Sequence, residues 1–192
     1  MISIIKTRVV LYILTIMLAI SCVPDDLLIQ VSRDKDRAEA IKNGRYWSVP
    51  EVKFIVGGAY QDTLLIEMSS NDPNEPIEEV EIITTELITF LNVPFKVGNY
   101  NLSPTAFDGK TRKVSVTYTI LEKETEKYTY RLDSDQEDNF VSINEVSQDK
   151  REISGTFSAT FILEEEFSDI APPEIAKVIE YSSGYYLSKR GI

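Results

Sequence analysis

The sequence predicts an all-β fold, an antiparallel β-sandwich or barrel-like meander. The first observation is alternation. Val114, Val116, Tyr118 and Ile120 interleave with Ser115, Thr117 and Thr119, the period of two expected of a half-buried strand. The second is the spacing of turn signals. Asn43-Gly44, Ser69 to Pro76, Glu122 to Glu126, Asp133 to Asn139, Gln148-Asp149-Lys150 and Pro172-Pro173 interrupt the chain with residues suited to turns. The third is the filling between turns, rich in Val, Ile, Thr, Tyr and Phe, which fit a pleated, half-buried surface. Short runs joined by short polar breaks make antiparallel neighbours.

In chain order, Ser32 to Lys42 reads as a short helix capped by Ser32 or as tether leading into a first strand. Asn43-Gly44 favours the strand, because a two-residue hairpin turn needs positive φ at both positions. Tyr46-Trp47 follows, with the only Trp. Val52 to Val56 and Thr63 to Met68 are strands separated by a turn or bulge at Gly57-Gly58. Glu78 to Asn92 is β-branched and broken near Thr84-Thr85, with a helix as the competing reading. Pro94, Gly98 and Asn99 punctuate the next piece.

The second half is cleaner. Tyr128, Tyr130 and Leu132 alternate after the charged turn. Phe140 to Val146 places Val141, Ile143 and Glu145 on one face. Ile153 to Leu163 places Phe157, Ala159, Phe161 and Leu163 on one face, with Gly155 as a bulge. Lys177 to Tyr181 and Tyr185 to Leu187 form a closing hairpin.

The N-terminus has a different character. Lys6 and Arg8 are the only charges before Cys22, and Val9 to Ile20 is apolar but for Thr15. That length suits a signal-peptide core and is short of the ~20 residues that span a bilayer. Ser21 stands directly before Cys22. Leu18-Ala19-Ile20-Ser21-Cys22 resembles a bacterial lipoprotein signal, of the relaxed kind seen in Bacteroidota-type lipoproteins. The resemblance implies cleavage between Ser21 and Cys22 and a covalent lipid, with palmitate-type acyl chains, on the Cys22 thiol. It implies partition into residues 1–21 as signal, 22–36 as polar tether and 37–192 as the β domain. Cys22 is the only cysteine, so no intramolecular disulfide forms. Asp25 and Asp26 resemble the short acidic tether motif that sends some such lipoproteins to the outer face of the outer membrane; an ordinary solvated tether is the plainer reading.

Composition excludes several functions. The chain has 20 basic and 31 acidic groups. Two of the basic ones, Lys6 and Arg8, lie in the leader, so the mature chain is more acidic still. Nucleic-acid phosphates are not its partners. An anionic membrane would repel its net charge, so the lipid must hold it there. There is no histidine, which removes Ser-His-Asp and Cys-His nucleophiles and the commonest zinc sites. Carboxylate chemistry on a sugar stays open.

Four pieces in order look like a family of small Bacteroidota envelope lipoproteins filed as a domain of unknown function. They are Asn43-Gly44-Arg45-Tyr46-Trp47, then Val97-Gly98-Asn99-Tyr100, then Val141-Ser142-Ile143 leading to the run from Asp149 to Ser158 with Gly155-Thr156-Phe157, then a short closing strand. The resemblance covers about Ala38 to Leu187. It implies an antiparallel β fold and an envelope location, and carries no activity, cofactor or catalytic residue.

Three side-chain groups remain as candidates. Asp133, Asp135 and Asp138 could offer oxygens to calcium, although the loop lacks the Gly and Glu of an EF-hand and reads more plainly as a solvated hairpin tip. Alternation would bring Glu164 and Glu166 together on one face; a charged strand end is the plainer reading. Tyr181, Tyr185 and Tyr186 could make an aromatic ligand surface or ordinary strand filling. The expected protein is a non-catalytic envelope module for glycan, peptide or protein, without a cofactor beyond its lipid. The alternatives are a carboxylate-dependent glycan-active enzyme and a structural subunit of the envelope.

Overall fold

The structure is a computed structural model that describes residues 36–57, 62–70, 84–122 and 125–189. The chain divides into two units between Arg33 and Asp34, the second holding the β domain. That domain is antiparallel β. Its strands are β1 (Arg37–Lys42), β2 (Arg45–Val49), β3 (Glu51–Val56), β4 (Thr63–Ser69), β5 (Thr84–Pro94), β6 (Gly98–Asn101), β7 (Ser115–Glu122), β8 (Thr125–Leu132), β9 (Phe140–Ile143), β10 (Glu145–Val146), β11 (Glu152–Leu163) and β12 (Val178–Lys189). One turn of helix, α1 (Glu165–Ser168), precedes β12.

Nine strands form a meander in the order β2-β1-β12-β11-β8-β7-β5-β4-β3. Its ends, β2 and β3, are consecutive in sequence with Pro50 alone between them. One strand bent at Pro50 therefore begins and ends the sheet. Pro has no N–H to leave unpaired at such a corner. The sheet curls enough for Ser188 Oγ on β12 to donate to the Val52 carbonyl on β3 at 2.6 Å. The short strands β9 and β10 share one edge of β11 with β8, and β6 pairs with β9.

The inner face is filled. Phe90, Tyr118, Tyr130, Phe157, Phe161 and Tyr181 are all buried, from five different strands. Burying each such ring fully is worth about 1.5–3 kcal/mol. Their contacts run across the interior: Phe90 to Phe157 at 5.8 Å, Tyr118 to Phe161 at 5.4 Å and Tyr118 to Tyr181 at 5.8 Å between ring centres.

The β1–β2 turn matches its sequence, with Asn43 and Gly44 both at positive φ (48° and 76°). Its tip is tied to β12: Asn43 N donates to the Glu180 carbonyl and Glu180 N to Asn43 Oδ1, at 2.9 and 2.8 Å. The strand over Arg37–Lys42 settles the Ser32 to Lys42 alternatives in favour of β from Arg37 onward. The helix reading of Glu78 to Asn92 gives way to β5 from Thr84; residues 78–83 lie outside the described residues.

Five expectations change. Gly98-Asn99 does not make a turn but enters β6, paired with β9. Gly98 is needed there because Tyr100 folds back over it; an added Cβ would lie 2.7 Å from its hydroxyl oxygen. Phe140 to Val146 is interrupted at Asn144, so Val141 and Ile143 are buried while Glu145 is exposed. Gly155 is no bulge: it pairs in register with Tyr186, and a Cβ there would meet the Ser142 carbonyl at 1.9 Å. The closing hairpin is one continuous strand, β12. Its extra residue lies near Ser183, at φ 52°, where the registers with both β1 and β11 shift. Glu164 and Glu166 do not continue an alternation, since β11 ends at Leu163 and α1 begins at Glu165.

The connections divide into two ends. At one lie the start of β1, the β10–β11 turn and the loops flanking β6. Lys189 N donates to Asp36 Oδ1 at 2.6 Å, Lys150 Nζ stands 5.9 Å over the Phe95 ring, and Asn92 Nδ2 donates to the Ala106 and Lys113 carbonyls at 3.2 and 3.0 Å. At the other lie the β7–β8 turn and the connection carrying α1, joined by the Glu164 N to Thr129 carbonyl bond at 3.1 Å.

Candidate functional site

The densest meeting of polar side chains in the described residues lies where β1 and β2 face β5 and β7 across the interior. Alternation along β1 turns Ala38, Ala40 and Lys42 inward. Alternation along β5 does the same for Glu86, Ile88 and Phe90. Lys42 Nζ forms an ion pair and hydrogen bond with Glu86 Oε1, and donates to Tyr118 Oη at 3.2 Å. Trp47 Nε1 and Tyr181 Oη donate to Glu86 Oε2 at 2.9 and 3.4 Å. The ammonium also stands 5.5 Å and 5.7 Å over the Tyr118 and Tyr181 rings, within the range of cation–π attraction. Trp47 packs edge-on against Tyr181 at 5.0 Å.

Glu86 thus accepts from three side chains, and its own backbone N–H is held by Ser70 Oγ at 2.8 Å. The Lys42 and Glu86 side chains are 21% and 24% exposed, so the pair is shielded without being sealed from water. Burial, with the Glu86 charge adding to it, raises the Tyr118 phenol well above its ordinary range. Burial also dominates at Tyr181, with Tyr118 and Glu86 reinforcing it. Tyr130 is pushed up to about 12, again chiefly by burial. These phenols stay protonated near neutral pH; Tyr181 donates to Glu86 and Tyr130 to the Ala176 carbonyl, while Tyr118 accepts from Lys42. The arrangement can hold two sides of the curled sheet together, with every charged oxygen matched to a donor. Glu39, the one acid buried outright among the described residues, faces Arg37 of the same strand at 3.1 Å.

The candidate residues fare differently. Ser21, Cys22, Asp25 and Asp26 lie outside the described residues. Tyr181 and Tyr186 are not on a surface: both are fully buried, and Tyr186 Oη donates to the Ser142 carbonyl at 2.7 Å. The inward alternation of β12, reset by its bulge, puts them in the core. Tyr185 alone of the three is half-buried. Asp133, Asp135 and Asp138 do not converge, and no group of three acids suited to a metal occurs among the described residues. Asp133 instead shapes its own loop, its carboxylate accepting from Asp135 N at 3.1 Å and Gln136 Nε2 at 3.3 Å. Glu164, Glu165 and Glu166 border an open recess beside Arg131.

Lys42 and Glu86 were not singled out by the sequence. The available signal was an acid in phase with Ile88 and Phe90, and a lysine in phase with Ala38 and Ala40.

Searches against protein-family models, curated proteins and solved structures match nothing to this chain. The likeness to envelope lipoproteins of unknown function rests on the four motifs alone, and geometry accounts for two of their glycines. Gly44 supplies a positive φ and Gly155 a close backbone crossing.

Proposed function

We propose that this chain is a lipid-anchored module of the bacterial outer membrane that binds a glycan, peptide or protein without catalysis. The observation that carries the reading is Leu18-Ala19-Ile20-Ser21-Cys22 behind a short apolar core, with Cys22 the only cysteine. A thiol is the nucleophile best suited to accept a lipid. More than one acyl chain makes the attachment stable, at about 0.8 kcal/mol per buried CH₂. The described residues begin at Asp36, fourteen residues after Cys22. Even fully extended, at ~3.3–3.6 Å per residue, that stretch would reach no more than about 50 Å. The non-catalytic reading is supported by the engagement of Glu86, whose oxygens are already occupied by Lys42, Trp47 and Tyr181.

The test is Cys22→Ala followed by separation of membranes from soluble protein. The variant is expected in the soluble fraction or as unprocessed precursor; a processed variant that stays with membranes at the wild-type level sinks the anchor. Protease treatment of intact cells then assigns the face. Digestion before lysis means that Asp25 and Asp26 act in export, and protection until lysis means a periplasmic domain.

A further inference from the structure

β2 is one end of the meander and pairs only with β1. The other end, β3, turns its free edge toward β12, where the Val52 carbonyl accepts from Ser188 Oγ. The ladder fixes which groups β2 leaves open. The turn at Asn43-Gly44 closes with Lys42 opposite Arg45; beyond it Ala40 stands opposite Trp47 and Ala38 opposite Val49. Backbone groups of successive residues alternate between the two sides of a strand, so Arg45, Trp47 and Val49 bond to β1. The N–H and C=O groups of Tyr46 and Ser48 then point away from it. No hydrogen bond among the described residues reaches them. Both residues are exposed, Tyr46 by 57%.

The usual guards of such an edge are lysine, proline, an inward charge or a bulge. Here the strand reads Arg45-Tyr46-Trp47-Ser48-Val49, with Arg45 as its one charge, and its register with β1 runs without a shift.

We propose that this edge pairs with the same edge of a second copy of the chain, antiparallel about a two-fold axis at Trp47. A row of open backbone groups is matched by another extended backbone. The two-fold register sets Tyr46 opposite Ser48 of the second copy and Ser48 opposite its Tyr46. Every N–H and C=O that β1 leaves open on this strand then meets its complement. Moving the axis to Tyr46 would set Ser48 against Gly44, within the turn. Moving it to Ser48 would set Tyr46 against Pro50, which has no N–H. The side chains fit the same register. The exposed Tyr46 ring lies beside a small Ser48, and Arg45 stands opposite Val49 instead of another cation. The chain carries a net charge of −11, which opposes association, and this strand adds no acid to the contact. The edge is short, so the dimer is weak. The inference rests on the fold and is independent of the anchor.

The test is sedimentation equilibrium of the full-length protein in density-matched detergent, over a range of concentrations, with thermal unfolding of every variant. The wild type is expected to pass from monomer toward dimer as concentration rises. Ser48→Pro removes an N–H that points away from β1, so the ladder within each copy survives. Symmetry removes the bond between copies twice, and the dimer is expected to weaken about tenfold or more. Tyr46→Lys puts a charge on the edge and is expected to weaken it as well. Adding Ser48→Glu to Tyr46→Lys is expected to restore association, because the two new charges face one another across the axis. Where Ser48→Pro unfolds, the charge variants decide. A wild type that stays monomeric at every concentration overturns the second copy as the occupant of this edge. A dimer unmoved by Ser48→Pro and Tyr46→Lys overturns the edge, and a Tyr46→Lys defect that Ser48→Glu does not repair overturns the register.

Discussion

Glu86 is the residue on which the interior polar contacts converge. Removing it leaves Lys42 without its ion partner and the Trp47 N–H without an acceptor. A half-buried group stripped of its partner costs about 1–3 kcal/mol, and the partial exposure of this pair argues for the lower part of that range. Glu86→Ala and Lys42→Ala should each lower stability. The double variant should fall short of their sum by about 0.5–1.5 kcal/mol in urea unfolding. Strict additivity would mean that the pair does not interact in solution. Sequence made the core tyrosines hard to place for a similar reason. A Tyr has an apolar body and a polar tip, so Tyr181 and Tyr186 suit a ligand surface as well as a core. What decides is an acceptor far away in sequence, Glu86 for one and the Ser142 carbonyl for the other. Neither is visible until the strands are placed.

Among the elements, local chemistry was readable and long-range crossing was not. Asn43-Gly44 announces its turn because positive φ is a local demand. Alternation gave β7, β8 and β11, since burial on one face imposes the period. Gly155 carried a signal of the right kind and the wrong cause. It relieves no bulge; it admits the backbone of Ser142, thirteen residues away. Comparing two glycines separates these causes. Gly44→Ala meets nothing within 4 Å and suffers only its positive φ of 76°, worth about 1–2 kcal/mol. Gly155→Ala would place Cβ 1.9 Å from the Ser142 carbonyl oxygen. It must push β9 from β11, and is expected to cost more than Gly44→Ala, at about 2–4 kcal/mol. Thermal unfolding of the two variants checks the order, and equal losses would contradict the close crossing. In β12, the predicted turn near Ser182–Gly184 became a bulge because its neighbours on both sides keep pairing past it. A local Ser-Ser-Gly signal is the same for a reversal and for one inserted residue.

At the scale of the whole molecule, the meander begins and ends on one strand bent at Pro50. The all-β antiparallel class was legible from alternation and turn spacing. Closure was not, because it depends on which distant strands meet, as Ser188 meets Val52. The central claim is that this domain works while held to a membrane through Cys22. Intact-mass measurement of the protein extracted from membranes tests it most directly. The account predicts a chain that starts at Cys22 and carries the added mass of acyl chains on that residue. An unmodified chain starting at any other residue, or one retaining residues 1–21, would contradict it.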